Sequence, residues 1–216
     1  MLRIVRVIFR EPALLTICAC LFLTACGGGS PGGGVVAPPP PPAPPPPPPA
    51  ATPSATSAEY TRSWSLAAIN AVYAFDEPAT GAGVTVAVID TGINFSQPDL
   101  AGRISPQSTD VFPGRNQPDR GSDHGTRIAT VIAANFDGAG TLGVAYQATI
   151  LSIWADDSPG ACPTDGCQFS DRELVTAIDY AIAHGARVIN LSIGGDTPDS
   201  AAFEAALHAR SRPAWS

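Results

Sequence analysis

GVTVAVIDTGINF, residues 83–95, is the stretch from which the rest of the chain is best read. Val84, Val86, Ala87, Val88 and Ile89 form a nearly continuous apolar, mostly β-branched run. A strand that is apolar on both faces points to a parallel sheet covered on both sides. The run stops at one carboxylate, Asp90, followed by Thr91 and Gly92. Open α/β sheets carry their sites at the carboxyl ends of strands, so Asp90 would stand on the functional rim. A lone Asp in that place also serves as a helix cap or turn former, and Asp-Thr-Gly alone is a weak signal.

Outward from this run, strands and helices alternate. HGTRIATVIAA (124–134) reads as a helix, ATILSIWA (148–155) as a second strand and ARVINLSIG (186–194) as a third. SDRELVTAIDYAIAHG (170–185) is a helix with both ends marked. Ser170 and Glu173 have capping-box spacing, and Gly185 stands where a helix-ending glycine is expected. SAAFEAALHAR (200–210) and SWSLAAINAVYAF (63–75) also have helical spacing. The pattern predicts an α/β domain with a parallel sheet.

The 216 residues carry a net charge of -7, and every basic residue is Arg. That balance argues against a nucleic-acid partner. Residues 1–25 read as a signal peptide. Arg3, Arg6 and Arg10 precede the apolar run ALLTICACLFLTA (13–25), which is too short to span a bilayer as a helix. The run ends in Leu23-Thr24-Ala25-Cys26, which resembles the bacterial lipobox and implies that Cys26 carries lipid. An ordinary secretory signal with an incidental Cys, or an uncleaved anchor, are the alternatives. Residues 26–58 are Gly- then Pro-rich and read as an extended stalk, with a proline-rich recognition ligand as the competing reading. Residues 59–216 are the expected globular part. Cys162 and Cys167 form a close pair suited to a local disulfide in an oxidising compartment, with half of a metal site as the alternative.

His124 opens a helix 34 residues after Asp90. Mere packing would explain a His there, but Asp and His together suggest a pair in which the carboxylate fixes the imidazole tautomer. With VAVIDTGI (86–93), HGT (124–126), GVAYQATI (143–150) and VINLSIGG (188–195) in this order, the chain resembles the subtilisin-like serine proteases. The resemblance implies a mostly parallel sheet flanked by helices and peptide-bond hydrolysis. It makes Asp90 the orienting carboxylate and His124 the general base. Ser192, Ile193 and Gly194 match the stretch whose backbone pairs with substrate as an added strand.

Arg127 and Thr130 depart from the family's small, apolar helix start. The family's G-T-S stretch, which carries the nucleophile, has no match, nor does the late Asn that donates to the oxyanion. The resemblance therefore implies a C-terminally truncated domain that is inactive alone, with an unpaired sheet edge and a tendency to aggregate. Lipid anchor, stalk and such a domain together look like surface proteases of the Gram-negative autotransporter type. That implies export, anchoring at the outer membrane or cell surface, and protein or peptide substrates.

No metal site is read from the sequence, although relatives often bind calcium. One alternative is a lipoprotein that keeps the half-domain for binding. Another is an aspartic protease built on Asp90-Thr91-Gly92, which would need a second carboxylate. His184 and His208 sit near helix ends, in ordinary capping or cationic roles. Asp156 and Asp157 are expected to be solvated or to shape the cleft.

Overall fold

The computed structural model of the chain describes residues 4–9, 52–77, 79–119, 123–157, 166–194 and 200–211. In chain order the elements are β1 (Ile4–Phe9), α1 (Ala58–Arg62), α2 (Trp64–Ala68), α3 (Val72–Asp76), β2 (Thr85–Asp90), β3 (Thr109–Asp110), α4 (Asp123–Ala133), β4 (Thr149–Trp154), α5 (Asp171–Ala183), β5 (Val188–Ile193) and α6 (Ala201–Ser211). A 3₁₀ turn spans Pro98–Leu100.

These strands make one sheet in the order β1-β5-β2-β4-β3. β2 pairs in parallel with β4 and β5, and β3 in parallel with β4. β1 alone runs antiparallel, along the outer edge of β5. The expected bare edge is therefore covered by Ile4–Phe9, residues read from sequence as part of a leader.

Strand alternation sorts the core into two faces. Ala87, Ile89, Leu151, Ile153, Ile189 and Leu191 meet residues of α5 and α6. Val86, Val88 and Ile150 meet Ala129 and Ala133 of α4. Asp90 shares the parity of Val86 and Val88, so its side chain leaves β2 on the α4 face.

A third cluster joins Tyr60, Leu66, Ala71 and Phe75 to Leu142 and Tyr146. Buried Glu59 accepts hydrogen bonds from the Asp137 and Gly138 N–H groups, 2.9 Å each. The packed part reaches back to Pro53, which is buried, before the expected boundary at 58. The helix read over residues 63–75 is broken into α2 and α3 at Asn70, whose φ is 55°. Asn is among the few residues that visit the left-handed region readily. The break brings Leu66, Ala71 and Phe75 into one cluster.

The capping box at α5 does not form. Ser170 is the N-cap with extended geometry, but its side chain makes no cap hydrogen bond. Glu173 is buried and pairs with Arg172 at 2.5 Å. At the other end, Gly185 has φ 78° and its N–H donates to Ile182 O, as a helix-ending glycine should.

Candidate active site

The two residues singled out first are in contact. Asp90 is 1% exposed and ends β2. Its Oδ1 lies 2.8 Å from His124 Nδ1 and its Oδ2 3.1 Å away. The same Oδ1 accepts the Thr91 N–H at 2.7 Å and the Thr91 hydroxyl at 3.1 Å. A carboxylate held by two neighbouring donors cannot rotate freely, so it offers the imidazole a fixed acceptor. Among the described residues, Nε2 of His124 carries no hydrogen bond, and the side chain is 48% exposed. One ring nitrogen is thus tied to Asp90, on a side chain that remains half exposed.

The residues around the pair explain why the motif has this form. Gly92 has φ 82°, a left-handed turn that glycine makes without steric cost. The turn brings the Gly92 carbonyl against the start of α4, where a Cβ on Gly125 would stand 2.2 Å from it and 3.3 Å from Asp90 Oδ1. Gly125 is therefore required for the close approach. The Thr126 hydroxyl then accepts the Asn94 N–H at 2.9 Å, tying the helix to the loop after β2. α4 buries Gly125, Ala129 and Ala133. Arg127 is on the exposed side, where it pairs with Asp123 at 3.1 Å, and the Thr130 hydroxyl donates to Arg127 O. Neither departure from the family's helix start enters the packed face.

Ser192 and Ile193 end β5, and Gly194 follows, exposed. Leu191 pairs with Ile89, so Ser192 reaches the same rim as Asp90, one strand away. The Asn190 amide donates to the Ser192 hydroxyl at 2.9 Å. Cys167 is disulfide-bonded. Cys162 and Cys26 lie outside the described residues. Among the described residues, no group of three or more His, Cys, Asp or Glu is placed to hold a metal ion. The His184 Nδ1–H donates to Tyr180 O, 2.8 Å away, and the imidazole stacks on the Tyr180 ring. His208 pairs with Glu204 one helical turn back.

Sequence reasoning missed a buried ion-pair network on the same rim. Arg115 grips Asp110 with Nε–Oδ2 at 2.7 Å and Nη2–Oδ1 at 2.9 Å. Its Nη1 lies 3.6 Å from Asp156 Oδ1, and its guanidinium sits 3.6 Å over the Trp154 ring. The Trp154 indole N–H donates to Asp156 Oδ2. Asp156 is fully buried, so the expectation of a solvated carboxylate is corrected: it balances an Arg and an indole inside the domain. Asp110 and Trp154 are register partners at the ends of β3 and β4. The bracing therefore reaches the strand next to Asp90, whose own register partner is Trp154.

The model of the subtilase family matches residues 81–213, which contain this whole rim. The chain belongs to the subtilase family. Fervidolysin of Fervidobacterium pennivorans is 37% identical over 136 residues, covering 61% of this chain and 19% of that protein. Subtilisin E of Bacillus subtilis (strain 168) is 36% identical over 146 residues, covering 66% of this chain and 36% of that one. The crystal structure of fervidolysin, described as a keratinolytic enzyme related to subtilisin, superposes with a TM-score of 0.59 at 31% identity over 71% of this chain and 24% of that chain. The subtilase fold is thus shared, while the chain spans between a fifth and two fifths of these relatives' own lengths. Asp-Thr-Gly as one half of an aspartic protease is set aside, because the Asp90 carboxylate is engaged by a histidine on a parallel α/β sheet.

Proposed function

We propose that this chain carries the Asp–His half of a serine-protease triad that hydrolyses peptide bonds. The contact between Asp90 Oδ1 and His124 Nδ1, made by an imidazole that is half exposed, is the observation that carries the reading. In this role Nδ1–H donates to Asp90, which leaves the Nε2 lone pair to take a proton from a serine hydroxyl as it attacks the scissile carbonyl. The imidazolium so formed is stabilised by the carboxylate, and Nε2 returns the proton to the leaving amine. Ser192, Ile193 and Gly194 supply backbone to hold an extended protein or peptide substrate. Ser192 itself is not the nucleophile.

No stretch of the 216 residues matches the family's serine-bearing segment. On its own the chain is expected to show no covalent labelling by a fluorophosphonate probe. Labelling mapped to one serine, and abolished by His124→Ala, would overturn that expectation.

The leader, the lipobox and the Gly/Pro stalk support export and anchoring through lipid on Cys26. Cells fed a labelled fatty acid should incorporate it into the chain, and Cys26→Ala should lose the label. Incorporation that survives the substitution would contradict anchoring at this cysteine.

A further inference from the structure

The connection from β3 to α4 delivers His124, and one buried carboxylate gathers it. Asp110 accepts the Phe112 N–H at 3.0 Å, the Gln117 N–H at 3.1 Å and the Arg115 guanidinium at 2.7 and 2.9 Å. The Val111 N–H donates to Trp154 O at 3.0 Å, so this end of the connection is fixed to the end of β4. The Arg115 guanidinium also lies over two rings, 4.9 Å from the Phe112 centroid and 3.6 Å from that of Trp154. The other end of the connection is tied to the loop that follows Asp90. Asp119 forms a parallel bridge with Ile93, and its Oδ1 accepts the Phe95 N–H at 3.0 Å. Residues 111–119 belong to no helix or strand, so these side-chain bonds take the place of a backbone ladder.

We propose that Arg115 is a positioning residue for His124: its grip on Asp110 and Asp156 fixes the connection from β3 to α4, and so fixes where the imidazole stands against Asp90. His124 is the second residue of α4, in the first turn, where backbone N–H groups have no partner inside the helix. The body of α4 is packed further along, through Ala129 and Ala133. The place of the first turn therefore depends on the chain that enters it, and Asp123 follows Asp119 by four positions. Asp90 is referred to the same support, since Trp154 is its register partner and the Ala155 N–H donates to Asp90 O at 2.9 Å. Arg115 thus sets both members of the pair against the end of β4. A planar fork can take both Asp110 oxygens while lying over Trp154, which the ammonium of a lysine cannot do. The role rests on the reading of His124 as the base.

The test is proton NMR of the full chain, reading how fast the His124 Nδ1–H exchanges with water. Held by Asp90, that proton should give a resolved far-downfield signal in the unmodified chain. Arg115→Lys keeps the charge but loses the fork, and should speed the exchange about tenfold or more. Asp119→Ala loosens the other end of the connection from an exposed position and should act in the same direction, which keeps the test decisive if Arg115→Lys does not fold. Ile178→Ala opens a cavity on the α5 face, across the sheet, and should leave the exchange unchanged although it lowers stability. No signal in the unmodified chain overturns the reading of His124 as the base, and this proposal with it. A signal whose exchange is unaltered in Arg115→Lys and Asp119→Ala, or that Ile178→Ala accelerates equally, overturns the positioning role alone.

Discussion

Gly125 and Thr91 show how little freedom the Asp90–His124 contact leaves. An alanine at 125 would push its Cβ into the Gly92 carbonyl, and neither backbone can retreat without moving Asp90 or α4. Gly125→Ala is expected to destabilise the domain by about 1–3 kcal/mol, the usual range for overpacking, measured by denaturant unfolding. A change within about 0.5 kcal/mol would show that the approach is looser than described. Asp90 and His124 were legible because both signals are local: a carboxylate that interrupts an apolar strand, and a histidine that opens an apolar helix. The function of Gly92 and Gly125 was not, because each matters only through the other across the rim.

Two arginines separate the scale of the element from that of the surface. Arg115 is 10% exposed and holds two buried carboxylates, whereas Arg127 and Asp123 are 77% and 86% exposed. Arg115→Ala removes the cation that faces the buried Asp110 and Asp156 carboxylates and should cost about 3–5 kcal/mol. Arg127→Ala should change stability by less than about 1 kcal/mol, since exposed pairs contribute little. Comparing the two unfolding curves checks both statements, and equal shifts would contradict them. β4 carries the opposite case: the Ser152 hydroxyl is fully buried and, among the described residues, has no hydrogen-bond partner. Ser152→Ala removes an unsatisfied group at nearly constant volume, so it should leave stability unchanged or raise it by about 1 kcal/mol. A loss above that size in the same assay would reveal a partner for the hydroxyl. The Arg115 network was invisible in sequence because β3 has only two residues. Nothing in so short a segment signals a strand, yet its register is what places Asp110 beside Trp154.

At the scale of the molecule, the N-terminal helices are fastened by the cluster around Tyr146. Burial raises the Tyr146 phenol above its ordinary value of 10.0. A raised folded-state value means that the folded chain holds the proton more tightly than the unfolded one. The resulting stability is intact below 10.0 and is lost as pH climbs through the raised value. Tyr146→Phe should therefore flatten the alkaline limb of the stability curve, and an unchanged limb would contradict this. The large architecture was readable: the runs at β2, β4 and β5 and the periodic segments at α4 and α5 carry strong patterns of their own. The break at Asn70 was not, because apolar spacing continues through it and only packing against Leu142 and Tyr146 requires the turn. Neither was the pairing of β1, since a targeting segment and an edge strand draw on the same β-branched residues.

The central claim is that Asp90 fixes the proton of His124 on Nδ1 and leaves Nε2 free to act as a base. Nitrogen-15 NMR of the imidazole, recorded in alkaline solution on the chain and on Asp90→Ala, measures this directly. The expected result is a proton on Nδ1 in the unmodified chain and a shift of the population toward Nε2–H in the variant. An Nε2–H tautomer in the unmodified chain, or identical spectra for the two, would contradict it.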